Sequence, residues 1–367
     1  MSALNKRAKV CCSVAFAMAL VATLTARAEE ALVLYRSGNP ATLHVVSLDG
    51  TVTPLRTLNL SDEPDYSLVD TVDGQFAFLW VERSGPVGMM RGRLSTTDIE
   101  QTFPVKRDRD GQAGRFSLQM RDLALDPQAR RLAYIDESKG QSLCVKDLSG
   151  PGGLRTLLDS DEWLMSPSWS PDGSRIAVFQ GKKGGSVPFL YRLLVVDAQT
   201  GQAKGVAPYS KSGGIWMDGS ISPPAWRPNG KAIFFRAYYE ERDRPRATKG
   251  LIYAVSPDGG PVVRMAEGYM PMVHPDGDRL YCRRSGQYRG GAGTVVYDLA
   301  QDTEVLREGL YLKKVSPSGK YLACERHQED DEPYTGTTIT LTDKDGQIVK
   351  TIETGQDIGW IVGWTEE

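Results

Sequence analysis

The residues best able to do chemistry fall in a few short stretches of unlike charge. Tyr238-Tyr239-Glu240-Glu241-Arg242-Asp243-Arg244-Pro245-Arg246 runs on to Lys249. Arg283-Arg284-Ser285-Gly286-Gln287-Tyr288-Arg289 is a second basic stretch, and Lys182 with Lys183 a third. Glu325-Arg326-His327-Gln328-Glu329-Asp330-Asp331-Glu332 is acidic. Arginine with interleaved tyrosine suits bidentate pairing with carboxylates and stacking. One reading is therefore a docking surface, basic beside acidic, for a charged partner or an anionic glycan. Its binding residues would be Tyr238, Tyr239, Arg242, Arg244, Arg246, Arg283, Arg284 and Arg289. The other reading is a set of solvated loops whose charges pair with one another. Trp216 and Met217, in the glycine-rich stretch from Val206 to Pro223, are a contact anchor or a plug for a central channel.

Metal chemistry has few candidates. The three histidines are His44, His274 and His327, far apart in sequence. His327 with Glu325, Glu329 and Asp330 is the densest set, and its carboxylates favour calcium over zinc. Asp343-Lys344-Asp345-Gly346 resembles the start of a calcium loop, but Thr354 stands where the glutamate ligand is needed, so it reads as a hairpin turn. No cofactor is expected. Gly-x-Ser-x-Gly, Walker, Cys-x-x-Cys and His-Glu-x-x-His patterns are all missing. A catalytic site would have to gather single residues from several parts of the chain, so no catalytic residue is assigned.

The elements that position these stretches repeat. In Pro167-Ser168-Trp169-Ser170-Pro171-Asp172-Gly173-Ser174-Arg175-Ile176-Ala177-Val178-Phe179 a strand ends at Trp169. Pro171, Asp172 and Gly173 then turn the chain, and a β-rich strand begins at Ile176. Copies occur at 224–235, 272–282 and 314–324. Two are degraded: Leu123 to Ile135 keeps Asp126-Pro127 without the glycine, and Leu68 to Trp80 keeps Asp73-Gly74 without the proline. A second hairpin follows each copy, as at Leu193 to Asp197 and Thr294 to Asp298. Four strands at a period of about 40–55 residues is the spacing of a β-propeller blade. Innermost strands near Leu68, Leu123, Trp169, Trp226, Val273, Val315 and Trp364 predict an all-β propeller of seven four-stranded blades. Dropping the Leu68 copy gives the six-bladed alternative. Ala31 to Tyr35, Leu43 to Leu48 and Thr51 to Leu58 lack an innermost strand, while Ile358 to Trp364 has nothing after it. The two ends are predicted to share one blade.

These motifs resemble the TolB-like, WD-like repeat propellers of bacterial envelopes. The likeness rests on Ser168-Trp169-Ser170-Pro171-Asp172-Gly173 and its copies. It implies a propeller and a binding or scaffold role for a periplasmic or outer-membrane protein or an envelope polymer. TolB carries an α/β domain before its propeller; here blade-like sequence begins almost directly after the leader, so that domain is expected to be absent. The alternative is a propeller enzyme, a polysaccharide lyase or hydrolase, acting on an anionic sugar at the channel mouth.

Lys6, Arg7 and Lys9 precede the apolar Val10 to Thr25, and Ala26-Arg27-Ala28 fits a small-x-small cleavage site. Residues 1–28 read as a signal peptide and 29–367 as one propeller domain, exported to the periplasm or beyond in the manner of Gram-negative bacteria. Removing the leader takes 44 basic residues to 40 against 46 acidic ones, net −6, which disfavours nucleic-acid binding. No span after the leader is long and apolar enough to cross a membrane, and a monomer is expected. Cys144, Cys282 and Cys324 remain. Cys282 and Cys324 hold equivalent places in adjacent blades, too far apart to bridge, and are predicted to be buried thiols.

Overall fold

Each intact repeat turn closes in the same way. The Gly173, Gly230, Gly277 and Gly319 amides donate to the carbonyls of Ser170, Arg227, His274 and Ser316, at 2.8–2.9 Å. All four glycines have φ between 67° and 77°, where a side chain would be strained. The residue two before the next amide caps the turn: Asp172, Asn229, Asp276 and Ser318 accept from the amides of 174, 231, 278 and 320. In the copy that lost its glycine, Ala129 takes the same place, at φ 51°, and donates to Asp126 O. Buried Asp126 compensates by accepting from the amides of Arg130 and Arg131 and pairing with Arg131 Nε at 2.8 Å.

In a computed structural model the described residues are 30–36, 41–58, 67–72, 75–81, 87–93, 99–101, 123–136, 140–148, 153–182, 190–211, 222–239, 250–284, 291–326, 338–354 and 360–366. They form seven four-stranded antiparallel sheets. One joins β1 (Glu30–Arg36), β2 (Ala41–Val46) and β3 (Val52–Leu58) to β28 (Trp360–Glu366). The next holds β4 (Ser67–Val72), β5 (Gln75–Val81), β6 (Val87–Arg93) and β7 (Ile99–Gln101). The third holds β8 (Leu123–Leu125), β9 (Arg131–Asp136), β10 (Gln141–Asp147) and β11 (Leu154–Ser160). The fourth holds β12 (Trp163–Trp169), β13 (Arg175–Lys182), β14 (Leu190–Asp197) and β15 (Ala203–Lys211). The fifth holds β16 (Ala225–Trp226), β17 (Ile233–Arg236), β18 (Leu251–Val255) and β19 (Val263–Glu267). The sixth holds β20 (Tyr269–Val273), β21 (Arg279–Arg284), β22 (Gly293–Asp298) and β23 (Thr303–Glu308). The last holds β24 (Leu310–Val315), β25 (Leu322–Arg326), β26 (Thr338–Thr342) and β27 (Ile348–Glu353). The degraded Leu68 copy is thus a full sheet, and the leader lies outside the described residues.

The first strands of the sheets pack side by side, β28 on β4, β4 on β8, β8 on β12, β12 on β16 and β16 on β20, while β24 returns to β28. Head and tail close the ring as a β1–β28 ladder that pairs Leu32 with Trp364 and Tyr35 with Trp360. Between blades the sheets bury alternate side chains. Phe179, Tyr191 and Leu193 meet Phe235 and Tyr253, and Ala323, Ile339 and Leu341 meet Leu32, Leu34 and Trp364. At ~1.5–3 kcal/mol for each buried large apolar side chain, these contacts hold neighbouring blades together. The three described cysteines are unbridged and buried in these layers. The Asp343 stretch is a turn, its carboxylate accepting from the amides of Asp345 and Gln347.

The tight turns are also fastened to one another. Arg131 donates to Gly173 O at 2.7 Å, Arg227 to Gly277 O at 3.0 Å, and His274 Nε2 bonds Gly319 O at 2.8 Å. The indole N–H groups of Trp169 and Trp226 donate back to Ala124 O and Ser168 O.

Candidate functional site

At the opposite end of the blades, polar groups converge at the junction of the fifth, sixth and seventh sheets. Arg236 ends β17, Tyr269 begins β20, and Arg283 lies opposite Tyr269 across the β20–β21 ladder. Tyr311 and Lys313 come from β24, and Glu325 from β25. This is the end at which second strands leave for third strands and one blade connects to the next.

Lys313 owes its place to an irregularity. Leu312 pairs with Cys324 and Lys314 with Ala323, so Lys313 is an extra residue in the strand. Such a bulge re-aims a side chain. The Lys313 ammonium meets the Glu325 carboxylate at 2.5 Å, and the side chains are only 17% and 5% exposed. Burial holds the Lys313 pKa below the ordinary lysine value, and neighbouring Arg283 adds to the fall, outweighing Glu325. Arg283 is also withdrawn from water, and desolvation lowers its pKa. Its Nε donates to Leu312 O at 2.8 Å, which fixes the guanidinium plane. Thr294 anchors the same strand, donating to Leu310 O and accepting from Leu312 N. Arg236 lies 5.8 Å from the Tyr238 ring centre and 6.0 Å from that of Tyr269, and donates to Tyr238 Oη at 3.1 Å. Gly250 gives Arg236 its room: a Cβ there would lie 3.1 Å from Arg236 Nε and 2.1 Å from Gly268 O.

Among the described residues the cluster holds three cations, Arg236, Arg283 and Lys313, against one carboxylate, Glu325. In a low-dielectric setting such an excess attracts an anion. The tyrosines add flat faces and hydroxyls.

The sequence-derived residues divide. Arg242, Arg244, Arg246, Arg289, Trp216 and Met217 lie outside the described residues, as do Glu329, Asp330 and His327. Tyr238 is buried between the fourth and fifth sheets, and Tyr239 packs edge-on to Tyr253 at 5.1 Å with its hydroxyl raised in pKa by burial. Both therefore line blade packing, where the sequence suggested loop side chains. Arg283 and Arg284 separate as strand alternation requires: Arg283 turns to Leu312, and Arg284 pairs with Glu304 at 3.1 Å. Glu325, read from sequence as loop acid, is buried and serves Lys313. Sequence reasoning missed Arg236, Tyr269, Tyr311 and Lys313. The available signal was Lys313-Lys314 inside an innermost strand, where paired lysines are out of place.

His274 joins Asp276 and Asp278 in the tight-turn layer, with ligand-type atoms within 4.8 Å of one another. The Lys344 ammonium already lies 2.9 Å from Asp278 and 3.7 Å from Asp276, and Arg279 reaches Asp278, Asp298 and Asp345. These cations balance the carboxylates, and His274 does for the sixth and seventh blades what Arg227 does one blade earlier.

No family model matches the chain. Two curated relatives, both Tol-Pal system protein TolB, match in part. That of Wigglesworthia glossinidia brevipalpis is 35% identical over 83 residues, 22% of this chain and 18% of its own. That of Chromobacterium violaceum is 35% identical over 117 residues, 30% of this chain and 26% of its own. The matches thus span about a quarter or less of the length of those relatives. Among solved structures, TolB from Acinetobacter baumannii superposes with TM-score 0.51 at 14% identity, over 91% of this chain and 82% of that one. An oligogalacturonate lyase in complex with manganese gives 0.58 at 12%, over 90% and 86%. The β-propeller domain of the trilobed protease from Pyrococcus furiosus gives 0.59 at 10%, over 90% and 96%. The fold is thus that of a β-propeller, a class that serves both binding modules and enzymes. Within it, stretches of 83 and 117 residues are similar in sequence to parts of TolB.

Proposed function

We propose that the chain is an exported binding or scaffold module that holds a periplasmic or outer-membrane protein through the loop end of its propeller. Residues 1–28 serve as a signal peptide and 29–367 as the working domain. The observation that carries this reading is the surplus of withdrawn positive charge at Arg236, Arg283 and Lys313, at the end where the longer connections emerge. Loops on a rigid frame commonly carry function. Partial similarity to Tol-Pal system proteins supports a protein partner. Among the described residues no helix is long and apolar enough to cross a membrane. The basic stretch Arg242, Arg244 and Arg246, with Arg289, Trp216 and Met217, extends the docking surface in this reading. Affinity capture from envelope extract tests it, using the mature chain and an Arg242/Arg244/Arg246→Ala variant. The wild type should retain a defined protein that the variant recovers less well. Equal recovery would remove the basic stretch from the surface, and retention of no protein would end the scaffold reading.

One observation favours a second reading, an enzyme acting on an anionic sugar. Lys313 and its partner Glu325 lie beside Arg283, whose charge also reaches Tyr311. A buried lysine–carboxylate pair can move a proton while an arginine holds the substrate's carboxylate. Turnover of uronate-containing oligosaccharides by the wild type, abolished in Lys313→Met, would select this reading.

A further inference from the structure

We propose that Arg236 and Arg283, with Tyr269 between them, receive the side-chain carboxylates of an acidic peptide segment on the protein partner. This rests on the scaffold reading and gives it a chemistry.

The charge balance is the first ground. Glu325 makes its ion pair with Lys313 at 2.5 Å and reaches Arg283 only through its longer-range charge, and no other carboxylate among the described residues forms an ion pair with Arg236 or Arg283. Their protein contacts are a backbone carbonyl for Arg283, and a tyrosine hydroxyl and two ring faces for Arg236. Arg236 Nε is buried with no acceptor. A guanidinium taken from water without a counter-ion is costly. Arg131 and Arg279 on the tight-turn end show how this chain meets that cost when an arginine serves structure alone. Arg131 sits on Asp126 at 2.8 Å, and Arg279 on Asp298 and Asp345 at 3.0 Å each.

Preorganisation is the second ground. The Leu312 carbonyl fixes the plane of Arg283, and the Tyr238 and Tyr269 rings fix that of Arg236. A guanidinium fork held in one orientation matches a planar carboxylate with little further ordering. Two such forks flanking one tyrosine suit two carboxylates on one segment better than a single small ion. Lys313 remains satisfied by Glu325 and adds long-range attraction.

The test is calorimetric titration of the mature chain with hexaglutamate, hexaglutamine and trigalacturonate at matched ionic strength. It uses wild type, Arg236→Met, Arg283→Met and Arg175→Met. Arg175 pairs with Asp258 at 3.2 Å on the tight-turn end, so its variant controls for general loss of charge. Hexaglutamate should bind the wild type and bind Arg236→Met and Arg283→Met at least tenfold more weakly, with less than a threefold change in Arg175→Met. Hexaglutamine should show no heat. Should Arg283→Met fail to unfold cooperatively, Arg236→Met carries the comparison, since it removes no backbone fastening. Failure of hexaglutamate to bind, equal binding by all four proteins, or tighter binding of trigalacturonate would each overturn the proposal. Envelope capture separates this from the broader reading. If wild type and Arg283→Met retain the same protein equally, the acidic contact is lost while the scaffold stands. If neither retains one, the scaffold reading falls as well.

Discussion

Replacing Glu325 by glutamine removes the one described carboxylate from a layer that also holds Lys313 and Arg283. The isosteric amide keeps the volume and discards the charge. Lys313 then has no counter-ion at 2.5 Å, and Arg283 remains beside it. Breaking a buried ion pair from one side costs ~3–5 kcal/mol. Lys313 keeps 17% exposure and can lean its ammonium toward water, which argues for the lower end, about 3 kcal/mol. In a chain of this size that is a fall of ~6 °C in Tm, taking about 2 °C per kcal/mol. The pH dependence adds a second signature. Burial and Arg283 place the folded Lys313 pKa below its unfolded value, so the folded state sheds the proton first and stability rises with pH in the interval between the two. Below that interval the penalty is fully present, and losing Glu325 carries the folded pKa lower still. The deficit of Glu325→Gln against wild type should therefore shrink as pH is raised above neutral. Adding Lys313→Met should restore stability to within about 1 kcal/mol of wild type, because the cation that lost its Glu325 partner is then gone. Urea denaturation from pH 7 to 10 provides the assay. A deficit under about 1 kcal/mol, or one that the second substitution deepens, would refute the charge argument.

Other consequences concern the frame. Burial raises the thiol pKa of Cys282 and Cys324 to about 12, so neither should react with iodoacetamide in the native protein at pH 8, whereas both should react once it is unfolded. Mass mapping that found a Cys282–Cys324 bridged peptide would contradict this. Ala129 holds a glycine's conformation at φ 51°, and Ala129→Gly should stabilise by roughly 0.5–1 kcal/mol, the strain relieved less the added freedom of the unfolded chain. A loss of stability in thermal melts would show that the Asp126 bonds depend on the alanine. The Ser170 hydroxyl and the Ser174 amide lower the Asp172 pKa to about 2. Its contribution is complete above the unfolded value near 3.8 and is lost as pH falls toward 2. Asp172→Asn should therefore flatten the acid limb of the stability curve, and an unchanged limb would remove this turn from the acid response.

The fold was legible because its signal is local and repeated. Proline, a capping oxygen and glycine at fixed offsets declare a turn wherever they recur, and two unpartnered ends declare closure. Even the copy without glycine could be placed, because Asp126-Pro127 kept two of the three signals. The charged cluster was harder to see. Glu325 stands in sequence at the head of an acidic run, and only the ladder places it inside the strand, facing a lysine displaced by a bulge. Alternation foretells that Arg283 and Arg284 part company, but not that Leu312 O fixes one and Glu304 the other. Tyr238 and Tyr239 follow the last residue of β17, and sequence gives no sign that the packing layer continues past the ladder.

Site-specific photo-crosslinking in envelope extract tests most directly which end of the propeller works. A crosslinking residue would replace Arg246, in the segment joining β17 to β18, or Gln287, in that joining β21 to β22. Two controls would replace exposed Asn229 and Asp258, in tight turns at the other end. The account predicts that one protein is captured from positions 246 and 287 and not from 229 or 258. Capture from the tight-turn positions alone would contradict it.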